Sequence, residues 1–219
     1  MKKYDYSIVI PVFQNERTLN DLYKEIKKTI IFQNINLNGE IIFVDDGSKD
    51  QSYKKLIEIK NLDDNINCTV IKLTRNFGQG AAIFAGYEYA KGNCVINLSA
   101  DFQDPPEVVN ELLKYYASGN YDAIIPVRNS RGDSLYRKVG SYIFYWIIKK
   151  LSFKKMPVSG FDFYLLDKKI VEFMLSSNDS NPFMQGQILW SGYKTKFIKY
   201  DRAKRKNGKS KHSFSKLLK

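Results

Sequence analysis

The sequence predicts an α/β fold in which a mostly parallel central sheet is flanked by helices. Over residues 1–127, short apolar runs typical of strands alternate with stretches of helical periodicity. Polar clusters follow directly after four of these apolar runs, where the carboxyl ends of parallel strands carry binding residues. The hydrophobic fraction of 43% in 219 residues is enough for one sizeable core.

The amino-terminal part supplies strands that alternate with helices. The first strand, residues 7–10, is expected to end at Pro11, and a helix is predicted over residues 18–31. Further strands are predicted at residues 40–44, 68–73, 95–98 and 122–126, and further helices at residues 50–59, 80–90 and 105–117. Such alternation indicates parallel strands joined by helical crossovers.

The carboxyl-terminal part has a different pattern. Residues 135–151 are predicted to form a helix with an almost continuous apolar stretch, which is too short to span a membrane and is either core or interfacial. A strand is predicted at residues 160–166, helices at 168–175 and 182–190, and a last strand at 193–200. We expect one domain over residues 1–201 and a basic extension over residues 202–219.

The net charge of +12 is concentrated at the end of the chain. Residues 202–219 contain eight Lys or Arg and no acid, which leaves +4 for the preceding 201 residues. Such a segment favours a polyanion as partner: anionic lipid, a phosphate ligand or nucleic acid. The single histidine, His212, excludes a His-rich zinc site. Cys68 and Cys94 lie in apolar runs and are expected to be small buried residues.

Two neighbouring acids, Asp45 and Asp46, follow the second predicted strand. Gly47 allows a tight turn and Asp50 can cap the next helix, so the acids fit an acidic turn. They equally fit a site that binds ribose hydroxyls and the N–H group of a base. The residues alone leave both interpretations open.

A glycine-containing loop, RNFGQG at residues 75–80, precedes the third predicted helix. It lacks the Lys-Ser/Thr pair of a P-loop and the third glycine of the dinucleotide fingerprint. Arg75 either faces a phosphate or is an ordinary surface arginine before a helix.

The segment after the fourth predicted strand contains Asp101, Gln103 and Asp104. Mg²⁺ and Mn²⁺ prefer such hard oxygen ligands, and they are commonly shared between one or two carboxylates and substrate phosphates. Asp104 is expected to cap a helix that starts at Pro105, since proline is favoured in the first helical position. That leaves Asp101 and Gln103 as the metal ligands.

Taken in order, these segments resemble glycosyltransferase family 2. SIVIPVFQNE, residues 7–16, resembles the opening strand of the family and its Pro-x-x-x-x-Glu turn. VDDGS, residues 44–48, resembles its nucleotide-binding segment, and LSAD, residues 98–101, occupies its D-x-D position. The resemblance implies a GT-A fold, a nucleotide-sugar donor and a divalent metal, Mg²⁺ or Mn²⁺.

A narrower resemblance is to the branch that transfers sugars to polyprenyl phosphates, both dolichol-phosphate mannose synthase-like and undecaprenyl-phosphate enzymes. The segments that carry it are RNFG at residues 75–78, DFQDPPE at 101–107, GFDFYLL at 160–166 and GKSK at 208–211. This branch implies a polyprenyl-phosphate acceptor at an anionic membrane surface. For the donor, a UDP-sugar is favoured.

The resemblance also implies roles for individual residues. The expected donor-binding residues are Pro11, Val12, Glu16, Asp45, Asp46, Arg75, Ser99, Ala100, Asp101, Lys209 and Lys211. Asp101 and Gln103 would hold the metal, and Arg128 and Arg137 would meet the acceptor phosphate. By its position in the family Asp162 is the candidate general base, and the alternative is a structural acid that pairs with Arg or Lys.

The sequence departs from the family at two places. Ser99 stands where the first acid of D-x-D is expected, and a hydroxyl is a weaker metal ligand than a carboxylate. Many relatives continue into transmembrane helices after the basic segment, whereas this sequence stops at Lys219. Either it is part of a longer membrane protein or it docks peripherally. In both cases we expect the cytoplasmic face of a bacterial inner membrane, with the oligomeric state left open.

The expected reaction is an inverting transfer of a sugar to the acceptor phosphate. A phosphate monoester is largely ionised at pH 7 and does not strictly need a general base, whereas a sugar hydroxyl does. Three alternatives are a transferase that extends a capsule or lipopolysaccharide glycan at a hydroxyl, a nucleotide-sugar binder without activity, and a nucleic-acid-binding module. The last is disfavoured, and we expect no nucleic-acid partner, because it explains only the basic segment and not the ordered acids.

Overall fold

The computed structural model describes residues 4–31, 36–62, 66–128, 156–157, 160–177 and 183–200. Its strands are β1 (Tyr4–Val12), β2 (Gly39–Asp45), β3 (Asn67–Lys72), β4 (Gly92–Asn97), β5 (Ala123–Arg128), β6 (Tyr164–Asp167) and β7 (Thr195–Tyr200). Its helices are α1 (Leu19–Ile26), which continues as a π-helical turn (Lys27–Ile31), α2 (Ser52–Lys60), α3 (Gln79–Tyr89), α4 (Val108–Ala117), α5 (Lys168–Ser176) and α6 (Met184–Trp190). The predicted alternation of strands and helices is confirmed.

The seven strands form one sheet in the order β3-β2-β1-β4-β6-β5-β7. All neighbouring strands are parallel except β6, which runs antiparallel to both β4 and β5. The expected mostly parallel sheet is therefore confirmed. Because β6 is reversed, it begins at the edge of the sheet where the other six strands end. We call this edge the carboxyl edge.

The first strand is longer than expected, because it continues through Pro11 to Val12. Pro11 is paired with Val44 of β2, whereas the pairing of β1 with β4 ends at Val9 and Asn97. Alternate residues of a parallel strand bond to opposite neighbours, and the Val9 carbonyl bonds toward β4. Pro11 therefore lacks its N–H group on the side where the β4 ladder has ended, so the prediction that it stops the strand is wrong.

Apolar side chains are buried on both faces of the sheet, as expected for crossover helices. On β1, Ile8 and Ile10 pack into a core with α1 and α4, whereas Val9 packs into a second core with α3 and α5. A Cβ atom at Gly86 of α3 would lie 2.4 Å from Cγ1 of Val9. This glycine therefore lets α3 approach the sheet closely.

The remaining predicted elements that fall on described residues agree with the structure to within a few residues, with two exceptions. The helix predicted from residue 105 begins at Val108, and the predicted strand 160–166 begins only at Tyr164, so residues 160–163 form a loop. The helix predicted over residues 135–151 and the basic extension lie outside the described residues. Both cysteines are free, and Cys94 is buried as expected, whereas Cys68 is only partly buried because β3 lies at the edge of the sheet. Burial still raises the pKa of Cys68 to about 11. No helix among the described residues is long and apolar enough to cross a bilayer.

Candidate active site

Asp45, the last residue of β2, brings a fully buried carboxyl group to the carboxyl edge. Its Oδ2 atom accepts a hydrogen bond from the Ser48 main-chain nitrogen at 3.3 Å. Its Oδ1 atom is buried and has no hydrogen-bond partner within the described part of the chain. Leaving a buried polar atom without a partner costs about 1–3 kcal/mol. Asp45 is thus prepared to accept a hydrogen bond from an N–H or O–H group of a ligand.

Asp46 is also buried, but its carboxylate already has protein partners. It accepts hydrogen bonds from the main-chain nitrogens of Phe77 at 2.7 Å and Gly78 at 2.9 Å, and from Nδ2 of Asn76 at 3.0 Å. Burial raises the pKa of Asp46, while the two main-chain bonds act to lower it. The family resemblance implies that Asp46 binds the nucleoside. In the structure its carboxylate accepts hydrogen bonds that hold the loop at residues 75–78.

The loop after β2 and the loop at residues 75–78 are in close contact at Gly47. Its φ angle is +66°, and a Cβ atom there would lie 2.4 Å from the main-chain carbon of Arg75. Only glycine fits this approach. Arg75 itself is exposed, with its guanidinium 4.1 Å from the ring centroid of Phe77. The loop therefore presents an exposed positive charge, which agrees with a phosphate-facing arginine and with an ordinary surface arginine.

The loop after β1 is attached to the start of α2. Glu16 accepts a hydrogen bond from the Gln51 main-chain nitrogen at 2.9 Å, while the main-chain nitrogens of Gln14 and Asn15 donate to the hydroxyls of Ser48 and Ser52. Glu16 thus satisfies one of the free N–H groups at a helix start.

The other two expected donor-binding residues of this region are the last two of β1. Val12 is buried, and its carbonyl accepts a bond from the Asp46 nitrogen at 2.8 Å. Pro11 is only partly buried at the same edge.

The D-x-D position follows β4 as a tight turn. Oδ1 of Asp101 accepts a hydrogen bond from the Gln103 nitrogen at 3.1 Å, and Phe102 between them is buried with a φ angle of +61°. The Ala100 carbonyl accepts a bond from the Thr18 hydroxyl at 2.8 Å, which ties this turn to the loop after β1. A bulky residue at positive φ is strained and is typical of functional turns.

The oxygen atoms at this turn fit a metal that is shared with a ligand. No group of three or more His, Cys, Asp or Glu able to hold a metal occurs in the described ranges. The turn instead offers the Asp101 carboxylate, the Gln103 amide oxygen and the Ser99 hydroxyl, whose Oγ atom is buried without a partner there. These are hard ligands suited to Mg²⁺ or Mn²⁺, and phosphates and water would complete the coordination.

Asp104 does not cap a helix, so that prediction is wrong. α4 begins at Val108, because two main-chain bonds to the carbonyls of Pro105 and Pro106 first form a separate turn. Asp104 is buried and its Oδ1 atom accepts a hydrogen bond from the Tyr200 hydroxyl at 3.2 Å. Tyr200, the last residue of β7, was not predicted as a site residue. The only sign of such a role in the sequence was its position at the end of a predicted strand.

Arg128, the last residue of β5, joins this group. Its side chain is only 12% exposed and lies 3.4 Å from Oδ2 of Asp162, which is 58% exposed. Burial acts to lower the pKa of Arg128, but the hydrogen bond with Tyr200 and the charges of Asp162 and Asp104 outweigh burial and raise it. The structure thus brings together two expected catalytic residues, Arg128 and Asp162. Their contact also agrees with the alternative in which Asp162 pairs with an arginine.

Two amide side chains hold the loop that carries Asp162. Asn97, at the end of β4, donates from Nδ2 to the Asp162 carbonyl at 2.6 Å, and Gln185 of α6 donates from Nε2 to the Phe161 carbonyl at 2.6 Å. The sequence analysis assigned neither residue a role. The available signal was one polar residue, Asn97, within a run of apolar strand residues. The expected site residues Arg137, Lys209 and Lys211 lie outside the described residues.

Comparison with known proteins identifies the family of this chain. A sequence model of "Glycosyl transferase family 2" matches residues 7–174. The chain is 38% identical over 215 residues to the undecaprenyl-phosphate 4-deoxy-4-formamido-L-arabinose transferase of Pectobacterium carotovorum, covering 97% of this chain and 64% of that protein. It is 34% identical over 214 residues to the bactoprenol glucosyl transferase of Shigella phage SfV, covering 96% and 67%. The chain thus spans about two thirds of the length of these relatives.

The fold comparison points the same way. Glucosyl-3-phosphoglycerate synthase from Mycobacterium tuberculosis, solved with Mn²⁺, UDP and phosphoglyceric acid, superposes with a TM-score of 0.68 at 17% identity over 98% of this chain and 74% of that one. This likeness confirms the expected GT-A fold, and the match to the family over most of the chain confirms the identification made from the sequence. The chain belongs to glycosyl transferase family 2.

Proposed function

We propose that this glycosyltransferase transfers a sugar from a nucleotide-sugar donor to a polyprenyl phosphate. The observation that carries the proposal is the meeting of two kinds of group at one edge of the sheet. Oxygen acceptors stand at the ends of β2 and β4, and the buried guanidinium of Arg128 stands at the end of β5. Relatives of this chain that are named as undecaprenyl-phosphate and bactoprenol transferases support a lipid phosphate as acceptor.

The donor half of the proposal is based on Asp45 and the turn at residues 99–103. The Oδ1 atom of Asp45, which has no partner among the described residues, suits the N–H group of a base or a ribose hydroxyl. The preference for a UDP-sugar rests on the family resemblance. Asp101, Gln103 and Ser99 would hold Mg²⁺ or Mn²⁺ together with the donor diphosphate. Such a cation acts as a Lewis acid that stabilises the leaving diphosphate. Arg75 adds a positive charge on the other side of the same phosphates.

The acceptor half is based on Arg128. Its side chain is mostly buried and its guanidinium stays protonated, so it can bind a phosphate through charge-assisted hydrogen bonds. An oxygen of the acceptor phosphate attacks C1 of the sugar as the bond from C1 to the diphosphate breaks, which inverts the configuration. The phosphate is already ionised at pH 7, so Asp162 is not required to remove a proton. Asp162 instead balances the charge of Arg128 before the acceptor arrives.

We place the reaction at the cytoplasmic face of a bacterial membrane. A polyprenyl phosphate is confined to the bilayer, so its phosphate must be met at the surface. The exposed aromatic residue Trp190, 72% exposed and stacked on Phe173, supports contact with the interface. The basic residues after position 201 would add attraction to anionic lipid, as a surface patch, as a lid over the donor, or as both.

The test is transfer of radiolabelled sugar to a short polyprenyl phosphate. The donors are UDP-glucose, UDP-N-acetylglucosamine and GDP-mannose, each with Mn²⁺ or with EDTA. We expect a lipid-linked product from at least one donor, and we expect EDTA to remove it. No lipid-linked product from any donor would contradict the proposal.

One observation favours a second acceptor class. The Asp162 side chain is 58% exposed, so it could accept a proton from a sugar hydroxyl. Under this alternative the enzyme extends a capsule or lipopolysaccharide glycan. A product formed on an oligosaccharide acceptor, together with none on the polyprenyl phosphate, would favour it.

A further inference from the structure

Asn97 and Gln185 form a matched pair of amides around the Asp162 loop. They donate to the carbonyls of two consecutive residues, Asp162 and Phe161, both at 2.6 Å. Asn97 is only 2% exposed, and Gln185 is partly buried on α6. Nε2 of Gln185 also lies 3.4 Å from Oδ1 of Asp162. Two side chains from separate elements therefore fix one loop main chain from two sides.

The orientation of both amides follows from these bonds. A main-chain carbonyl can only accept, so the amide nitrogen must face it and the amide oxygen must face away. Oδ1 of Asn97 and Oε1 of Gln185 are both buried, and neither has a hydrogen-bond partner in the described segments. Fixing the loop uses only the nitrogen atoms. It leaves two strong acceptors without a donor, at a cost that native proteins rarely accept without a ligand or water.

A third such acceptor stands close to Asn97 along the chain. Ser99 follows it by two residues, and alternate residues of an extended strand share a face of the sheet. Val95 on the same strand and Tyr164 across from Asn97 both pack on the α3 face, so Asn97 belongs to that face, and Ser99 follows just after the end of β4. The Ser99 Oγ atom is also buried without a partner among the described residues. The acceptors thus extend from the D-x-D turn toward Asp162.

Under the proposed function, on which this inference rests, the transferred sugar must lie between those two places. Its C1 atom is bonded to the diphosphate at the D-x-D turn and must face the acceptor phosphate at Arg128. A hexose carries several hydroxyl groups, each able to donate one hydrogen bond. Neutral amide oxygens can take these bonds without adding negative charge beside the diphosphate. Carboxylates at the same positions would repel it.

We propose that Oδ1 of Asn97 and Oε1 of Gln185 accept hydrogen bonds from hydroxyl groups of the transferred sugar, and that this pair helps to select the sugar. A site built to bond a hydroxyl rejects an analogue that lacks it, because its own polar groups are then left buried without partners. The same amide that selects the sugar also fixes the main chain of Asp162, so recognition of the sugar and placement of this loop are coupled.

The test compares the affinity of each nucleotide sugar with that of its free nucleotide. Calorimetric titration is made with UDP-glucose, UDP-N-acetylglucosamine and GDP-mannose against UDP and GDP. For the nucleotide sugar that the unmodified protein binds best, Asn97→Ala and Gln185→Ala should each lower its affinity roughly tenfold. The affinity for the free nucleotide should stay within about twofold. A merely structural role would weaken both ligands equally.

Gln187 provides the matched control on the same helix. Its Oε1 atom is also buried without a partner in the described ranges, but its Nε2 atom donates to the Ser177 hydroxyl at 2.9 Å instead of to the Asp162 loop. Gln187→Ala should therefore leave both affinities unchanged. Because Asn97→Ala, in the buried strand β4, could fail to fold, Gln185→Ala at the less buried position on α6 is measured first, with circular dichroism of each variant.

The outcomes separate this inference from the proposed function. If transfer to polyprenyl phosphate occurs but both variants keep the sugar preference of the unmodified protein, the inference is overturned and the function stands. If the unmodified protein binds no nucleotide sugar more tightly than the corresponding free nucleotide, Asn97 and Gln185 add no affinity for the sugar, and the inference is again overturned. Selective loss of sugar affinity without transfer to any lipid phosphate supports the inference and contradicts the acceptor.

Discussion

The two halves of the carboxyl edge, to which our proposal assigns the donor and the acceptor, are built in different ways. In the donor half, formed by β1 to β4 and their loops, functional residues come from short contiguous segments whose loops bond to one another. Asp46 alone accepts three hydrogen bonds from residues 76–78. In the acceptor half, formed by β5 to β7, Arg128, Asp162 and Tyr200 come from three separate segments and meet through single side-chain contacts. One half is held by many bonds between loops and the other by single side-chain contacts, so we expect mutations in the two halves to affect different ligands.

With polyprenyl phosphate as acceptor, the largest effect is expected in the donor half at Asp101. Because Ser99 replaces the usual first acid, Asp101 is the one carboxylate of the turn at residues 99–103, and Asp101→Asn should lower kcat/KM by about 100- to 1000-fold. The measurement is sugar transfer at saturating Mn²⁺. Ser99→Ala is the control and should cost at most about tenfold, since it removes a neutral ligand. Equal losses for the two variants would contradict this division of roles.

A smaller effect, confined to the acceptor half, is expected for Arg128→Gln. Loss of a buried cation that meets the acceptor phosphate should lower kcat/KM for polyprenyl phosphate roughly 30- to 100-fold. Affinity for the free nucleotide should not change, because the donor half is assembled without Arg128. Arg75→Gln should do the reverse, weakening the donor diphosphate and sparing the KM of the acceptor. If Arg128→Gln weakens both ligands, the two halves are not separable.

Asp162→Asn distinguishes the two acceptor classes. With polyprenyl phosphate the loss should be at most about tenfold, because the attacking oxygen is already ionised and only the partner of Arg128 is removed. With a hydroxyl acceptor, loss of a general base should cost about 10²- to 10⁴-fold, effectively abolishing transfer. Both acceptors are assayed with one protein preparation. A large loss with the phosphate would assign Asp162 a direct part in the lipid reaction.

Tyr200→Phe should have a modest effect that links the two halves. It removes the hydroxyl that donates to Asp104 but keeps the ring, which packs edge-on against Phe163 with the centroids 5.9 Å apart. The free energy of unfolding should fall by about 1 kcal/mol, as measured in urea. Tyr193→Phe is the control, since that ring instead contacts Lys169. No change at Tyr200 would show that the Asp104 bond does not join the halves.

The smallest effect is expected at Asp122, an acid of the acceptor half. Nζ of Lys169 donates a hydrogen bond to Oδ1 of Asp122 at 2.5 Å. Burial acts to raise the pKa of Asp122. The hydrogen bonds from Lys169 and from the Lys194 main-chain nitrogen outweigh burial and lower this pKa below its usual value. An acid with a lowered pKa adds stability that is present above its ordinary pKa and is lost as pH falls through the lowered value. Because Lys169 is 46% exposed, Asp122→Asn should cost less than about 1 kcal/mol at pH 7. The difference from the unmodified protein should vanish in urea unfolding at strongly acidic pH.

The sequence was most informative where a strand and the polar residues of the candidate site are adjacent in the chain. The strands β2 and β4 and the acids that follow them are adjacent in sequence, so alternating elements and end-of-strand motifs were sufficient to find Asp45 and the turn at Asp101. The hydrogen-bond partners of Asp46 and Glu16 could not be predicted in this way. Both lie at the expected edge, but their carboxylates bond to loops more than thirty residues away, which no local pattern could show.

The error at Asp104 has a similar cause. An acid before two prolines is a typical helix start, and the sequence provides no sign that the helix is delayed to Val108 or that Tyr200 would reach the carboxylate. The separation between Tyr200 and Asp104 is 96 residues. Contacts of this length depend on how the sheet is ordered, which hydrophobic periodicity does not specify.

The sequence by itself determined the α/β class, the donor-side motifs and the family, because each is encoded by residues that lie next to one another. Only the tertiary structure decided the reversed direction of β6. This reversal starts β6 at the edge where β4 and β5 end, and so brings the Asp162 loop beside Asn97 and Arg128. The direction of a strand depends on pairing with its neighbours and on the burial of both faces. A strand with the same residues would have the same periodicity in either direction, so its sequence could not reveal it.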